Sequence, residues 1–171
     1  MNTIFGNQEQ EFKPLTRFKT PLPGYYVNKD GEIYSQKSGK FLRARKKYTA
    51  NHGAPKRLKE LAYNVCIPKD LMSDYKYSDR SGSKKDSREL YISKHRATAE
   101  AWMPIDENPP EQLRECWDSL PEEAKQWVRD TALVDHKDDN PENNSVDNLQ
   151  WVVPKDNQKY RKQQNNEKLN D

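Results

Sequence analysis

Asp135 and His136 stand side by side in the stretch "LVDHKDDNPENNSVDNLQWVVPKDNQKY", and Asn157 lies near its end. These side chains suit hydrolysis at a phosphate. An imidazole, whose ordinary pKa is about 6.5, can take a proton from water near neutrality. The Asp135 carboxylate and the Asn157 amide oxygen are hard donors, and two such ligands leave most of an octahedral Mg²⁺ shell open to water and phosphate oxygens. Two other readings compete. A calcium EF-hand loop needs Gly at its sixth position and Glu at its twelfth. Counted from Asp135 these are Asn140 and Val146, and counted from Asp138 they are Asn143 and Leu149, so both registers fail. An Asx-rich turn accounts for "KDDNPENN", because Asp and Asn bond to their own backbone and tolerate left-handed conformations. It leaves unexplained the apolar brackets "LVDH" and "LQWVV", which predict two strands with Asp135 and His136 at the end of the first. Neighbouring strand residues point to opposite faces, so the two share a site only if the strand ends or bends there. The following "DDNP" supplies that bend.

The elements that must position such a hairpin lie in a polar chain. Of 171 residues 32% are hydrophobic and 33% charged, with 11 Pro, while 4 Trp and 9 Tyr supply bulky anchors. That length suffices for one compact domain or two small ones and excludes a large multidomain machine. The net charge is only +3, but its distribution is uneven. Lys37, Lys40, Arg43, Arg45, Lys46, Lys47, Lys56, Arg57 and Lys59 occur without an intervening acid, whereas acids gather between Asp106 and Asp147. A block of this kind points to a polyanionic partner, with a solvated loop as the alternative. Cys66 and Cys116 lack paired spacing, so neither a disulfide nor a structural zinc is expected, and both are read as reduced packing residues. No apolar run approaches the roughly 20 residues that cross a bilayer, and the N-terminus has no signal core. The expectation is a soluble, intracellular protein without membrane contact.

A polar leader occupies residues 1–20. Residues 21–90 then open with "PLPGYYVNKDGEIYSQKSGKFLRAR", where Asp30-Gly31 and Ser38-Gly39 predict turns joining three short antiparallel strands. The last strand runs into the basic block and puts Arg43, Arg45, Lys46 and Lys47 at a sheet edge or on the loop beyond. From Lys56 to Leu90 the pattern is weak. In residues 91–171, "LYISKHRATAEAWMP" predicts a strand and then a helix from about Lys94 to Trp102, closed by Pro104. Residues 107–130 read as two short helices with an apolar face, the second entered through a Ser119 to Glu122 capping box. The fold class is α+β, with a small N-terminal antiparallel sheet, a helical insertion and a C-terminal ββα motif.

Taken together, "VDH", Asn148 in "DNLQWV" and Asn157 in "KDNQ", spaced twelve and nine residues apart, resemble the ββα-metal site of HNH endonucleases, particularly the homing endonucleases of bacteriophages. "GYYVNKDGEIYSQKSGKFL" resembles the DNA-binding motif found N-terminal to such sites, and "ISKHRATAEAW" resembles their preceding His-Arg helix. The resemblance implies a metal-dependent endonuclease acting on DNA, expected to be double-stranded, and nicking as a monomer because one site cuts one strand. It implies His136 as general base, Asp135 and Asn157 as ligands of one divalent metal, Mg²⁺ or Mn²⁺, and Asn148 as the residue that orients the site across the hairpin loop. A phage-encoded protein of this kind would work in the host cytoplasm. Phosphate contacts are expected from Arg43, Arg45, Lys46, Lys47, Lys56 and Arg57, from His95 and Arg96, and from Arg161 and Lys162. Two departures stand out: the insertion at 107–130, and the absence of a recognisable helix-turn-helix reader after the hairpin. The rival expectations are a non-catalytic nucleic-acid-binding protein and a structure-specific or RNA-directed nuclease.

Overall fold

The structure, a computed structural model, describes residues 2–5, 8–49, 56–68, 70–71 and 87–154, with side chains described from Glu11 onward. A short hairpin of β1 (Asn2–Phe5) and β2 (Gln8–Glu11) leads into a four-stranded antiparallel sheet. Its strands, β3 (Lys13–Arg17), β4 (Thr20–Val27), β5 (Ile33–Ser35) and β6 (Lys40–Phe41), lie in chain order. The predicted three strands are therefore four, because part of the polar leader pairs with β4. The β3–β4 turn contains neither Gly nor Asn. Phe18 and Lys19 both take positive φ, 48° and 64°, the left-handed region that ordinary residues avoid. The Phe18 N–H donates to the Glu100 carboxylate at 3.1 Å, so a distant helix holds this turn.

The basic block forms a sheet of its own. β7 (Arg45–Tyr48) pairs with β8 (Leu58–Pro68), which pairs in turn with β9 (Ser87–Ser93). On β8, Tyr63, Val65 and Ile67 alternate inward and explain a strand that local pattern left open. Cys66 faces solvent rather than packing, and both cysteines are free thiols.

β9 runs directly into α1 (Lys94–Trp102), as expected. This helix serves two hydrophobic clusters. Ala97 packs with Leu15, Leu22, Val27, Ile33, Tyr63, Val65, Ile67, Leu90 and Ile92 from the two sheets. Ala99 packs with Ile105, Trp117, Val128, Ala132 and Trp151 beyond it. Gly31, at φ 75°, lies so near α1 that a Cβ there would collide with Thr98 Oγ1. The turn thus needs glycine both for its backbone and for the approach of the helix.

In the insertion, the first expected helix is replaced by two 3-10 turns, Glu111–Leu113 and Trp117–Ser119, and only α2 (Glu122–Thr131) is α-helical. Trp117 is buried, so its turn is set by packing rather than helical spacing. Pro121, not Ser119, caps α2, and the Ser119 hydroxyl instead donates back to the Cys116 carbonyl at 2.7 Å. Val128 packs inward while Trp127 is 61% exposed. β10 (Leu133–His136) and β11 (Leu149–Val152) complete the described chain as an antiparallel pair. Among the described residues no helix is long and apolar enough to cross a membrane.

One charged cluster ties these layers together. Glu100, with its side chain 8% exposed, accepts from Arg17 of β3 and from Arg96 of α1, each at 2.6 Å. Arg96 also donates to the Ala132 carbonyl at 2.8 Å, just before β10. Removing one partner of a buried ion cluster typically loses about 3–5 kcal/mol, because the others remain desolvated and unpaired. Glu100→Ala is accordingly expected to lower unfolding free energy by about that amount in urea titration; a loss below about 1 kcal/mol, the worth of an exposed pair, would show that the cluster holds nothing together.

Candidate active site

β10 ends at His136, where the Lys137 N–H closes the hairpin onto the Asn148 carbonyl at 2.8 Å. The connecting loop is built from Asx hydrogen bonds, as its composition predicts. Asp138 Oδ1 accepts from the Asn140 N–H at 2.9 Å and from the Asn148 amide at 2.8 Å. Asp138 Oδ2 accepts from the Asn143 amide at 2.7 Å. Those donors, Asn143 foremost, hold the Asp138 carboxyl below its ordinary range. Asn148 also donates to the Asn143 carbonyl at 2.8 Å, so its amide spans the loop. Asp139 occupies the left-handed region at φ 57°, within the tolerance of an Asp.

Three outside contacts fix this hairpin in the molecule. The Val146 N–H donates to the Lys29 carbonyl at 2.9 Å, joining the loop to the β4–β5 turn. Lys46 on β7 reaches Glu142 at 2.6 Å. Trp151 donates from its indole to the Met103 carbonyl at 2.7 Å and carries the Arg96 guanidinium 4.8 Å above its ring.

His136 meets two partners. Its Nε2 lies 3.2 Å from Asn144 Oδ1, and its ring stands edge-on to His95 of α1, with centroids 5.2 Å apart at 67°. Asn144 is only 2% exposed. Sequence reasoning placed it in the turn beside Asn143, and nothing in the sequence separates the two. Burial does, with Asn144 turned in toward His136.

Other expected residues fall into groups. Arg43, Arg45, Lys46, Lys47, Lys56 and Arg57 are all exposed. Arg45 and Lys47 line an open depression with Asn64, Glu89 and Tyr91, and the Lys47 ammonium sits 3.8 Å above the Tyr91 ring. Arg96 is turned inward, as described, and His95 is packed against His136 rather than projecting from the surface. Asn157, Arg161 and Lys162 lie outside the described residues.

Does this site suit a divalent metal? Among the described residues no hydrogen bond or ion pair engages the half-buried Asp135 carboxylate, which lies across from Gln150. A free carboxylate in a partly dry position is the oxygen donor that a hard cation takes. Among the described residues no three His, Cys, Asp or Glu side chains converge. The donor chemistry fits at Asp135.

An α+β chain with an Asx-locked ββ hairpin packed on a His-Arg helix has an HNH-endonuclease-like fold. Over 91% of its length the chain is similar, with a TM-score of 0.50 and 23% identity, to the solved structure of the HNH homing endonuclease I-HmuI, a protein described as binding and cleaving DNA. It spans 60% of that chain. The likeness is one of fold. No family model matches the chain, and no curated protein does.

Burial, followed by the neighbouring His136 and Arg96, presses the His95 imidazole down to about 4. An unfolded histidine titrates near about 6.5, so between the two values the unfolded chain holds more protons than the folded one. Stability is therefore full above about pH 6.5 and falls as pH drops toward 4, by up to roughly 3 kcal/mol. His95→Phe should flatten that acid slope in denaturant titrations run at a series of pH values. An unchanged slope would place the acid sensitivity elsewhere.

Proposed function

We propose that the protein is a metal-dependent DNA endonuclease of the HNH type, hydrolysing phosphodiester bonds in duplex DNA and nicking one strand as a monomer. The observation that carries this reading is the pairing of a free Asp135 carboxylate with a His136 imidazole held on two sides at the end of one strand. In this reading His136 accepts the proton of the attacking water. Asp135, with Asn157 as the second expected ligand, would hold one divalent ion, Mg²⁺ or Mn²⁺. When bound, that ion supplies charge stabilisation at the phosphoryl oxygens and the leaving 3′ oxygen. Asn148 keeps the hairpin loop closed so that the two neighbours stay at the strand end. The products would be a 5′-phosphate and a 3′-hydroxyl.

DNA is the partner that the surface supports. Arg43, Arg45, Lys46, Lys47, Lys56 and Arg57 present cations on and beside β7, and the Lys46–Glu142 pair puts that edge next to the hairpin loop. Contacts of this type go to phosphates and carry little sequence information, so binding should weaken steeply with salt. Site recognition of the homing kind would then rest on the sheets reaching base edges in a groove.

His136→Ala should reduce cleavage of supercoiled plasmid by about 10²–10⁴-fold, the range that general base catalysis supplies, while mobility shifts of the same DNA stay unchanged. Full cleavage by this variant removes His136 from the mechanism, and a shift without any cleavage by the native protein, across metals and substrates, makes it a binding protein instead. Asp135→Ala and Asn157→Ala should each raise the Mg²⁺ or Mn²⁺ concentration needed for half-maximal cleavage, and EDTA should abolish it. Metal titrations that superimpose on the native curve would defeat the ligand assignment.

A further inference from the structure

The orientation of the Asn144 side chain can be derived from its partners. Its Nδ2 donates to the Pro141 carbonyl at 3.1 Å and to the Glu142 carbonyl at 3.0 Å. Both amide hydrogens are therefore used, and Oδ1 is the end that meets His136 Nε2 at 3.2 Å. Turning the amide over would set Oδ1 against two carbonyl oxygens and leave three acceptors facing one another without a hydrogen. That arrangement is excluded in a residue 2% exposed, where water cannot repair it.

A carbonyl oxygen only accepts, so the hydrogen in this contact belongs to His136 Nε2. A neutral imidazole carries one N–H, and its lone pair must then lie on Nδ1. His95, packed edge-on at 5.2 Å from within α1, confines the plane of the ring. Asn144 sets which nitrogen is protonated and His95 sets where the ring plane lies. Neither residue needs to touch the substrate.

We propose that Asn144 is a positioning residue that holds His136 as its Nε2–H tautomer and so makes Nδ1 the atom that receives the proton of the attacking water. The inference rests on the reading of His136 as general base. In the step it serves, water gives a proton to Nδ1 as its oxygen bonds to phosphorus. The bond from phosphorus to the 3′ oxygen breaks, that oxygen takes a proton from solvent, and the imidazolium returns its own proton to solvent. Atoms and charge balance without a further reactant. Asn148, by contrast, has its amide engaged within the loop and with Asp138, and it shapes the loop without reaching His136.

The test is a ring-¹⁵N spectrum of the full chain labelled at histidine, recorded at alkaline pH. His136 is identified among the three histidines by its loss in His136→Gln. The native protein should show His136 as a single Nε2–H tautomer, and Asn144→Ala should show a mixture of both. In plasmid cleavage Asn144→Ala should lose roughly a hundredfold in kcat, the lower end of what general base catalysis supplies, with KM within about twofold. An Nδ1–H tautomer in the native protein overturns the proposal without recourse to any variant, and so does a pure Nε2–H signal in Asn144→Ala. The spectrum needs no activity, so a native protein with the expected tautomer that cuts no DNA defeats the endonuclease reading and leaves the hold of Asn144 on His136 standing.

Discussion

Glu100 sits between two guanidinium groups in the interior, and the position of almost everything else follows from that. Arg17 brings β3 to the helix, the Phe18 N–H brings the strained β3–β4 turn, and Arg96 carries the link to the Ala132 carbonyl at the threshold of β10. A carboxylate this dry is tolerable only while both cations stay near, so the three segments cannot separate independently. The arrangement is not fully satisfied. Among the described residues Arg17 Nε, which is buried, has no hydrogen-bond partner. Fixing Arg96 also fixes its neighbour in sequence, and His95 is thereby held with its ring toward the hairpin. A structural ion cluster and the support of the candidate base are consecutive residues of one helix.

The hairpin itself has little core. Two four-residue strands are marginal alone in water, and its loop is stabilised by polar contacts rather than burial. Its rigidity is borrowed from three directions: α1 below, the β4–β5 turn through Lys29, and β7 through the Lys46–Glu142 pair. The last of these is exposed and therefore contributes little to stability. Its interest is geometric, since it places the cationic edge strand beside the loop that carries Asn144.

Much of this was legible in the chain because some residues state their conformation locally. Gly31 and Gly39 need positive φ and mark the two turns. Lys94 to Trp102 reads as a helix closed by Pro104, and it is one. The hairpin around Asp135 and His136 is written in its apolar brackets and Asx turn. What could not be read depends on partners remote in sequence. The Phe18-Lys19 turn carries no turn residue, since its backbone is held by Glu100, 82 residues away from Phe18. The first segment of the insertion has helical spacing yet forms 3-10 turns, because Trp117 is drawn into a cluster with Val128 and Trp151. Asn144 differs from Asn143 only in burial, a property that belongs to the folded hairpin and not to either residue.

Chain order adds a temporal side to the dependence of the hairpin on its supports. α1, the β4–β5 turn, β7 and α2 all precede Leu133, and none of the described contacts that steady His136 from outside the hairpin comes from beyond Val152. Domains form largely from the N-terminal side as synthesis proceeds. A ribosome therefore delivers every described brace before it delivers Asp135 and His136. The arrangement makes the hairpin the last of the described elements that the growing polypeptide acquires.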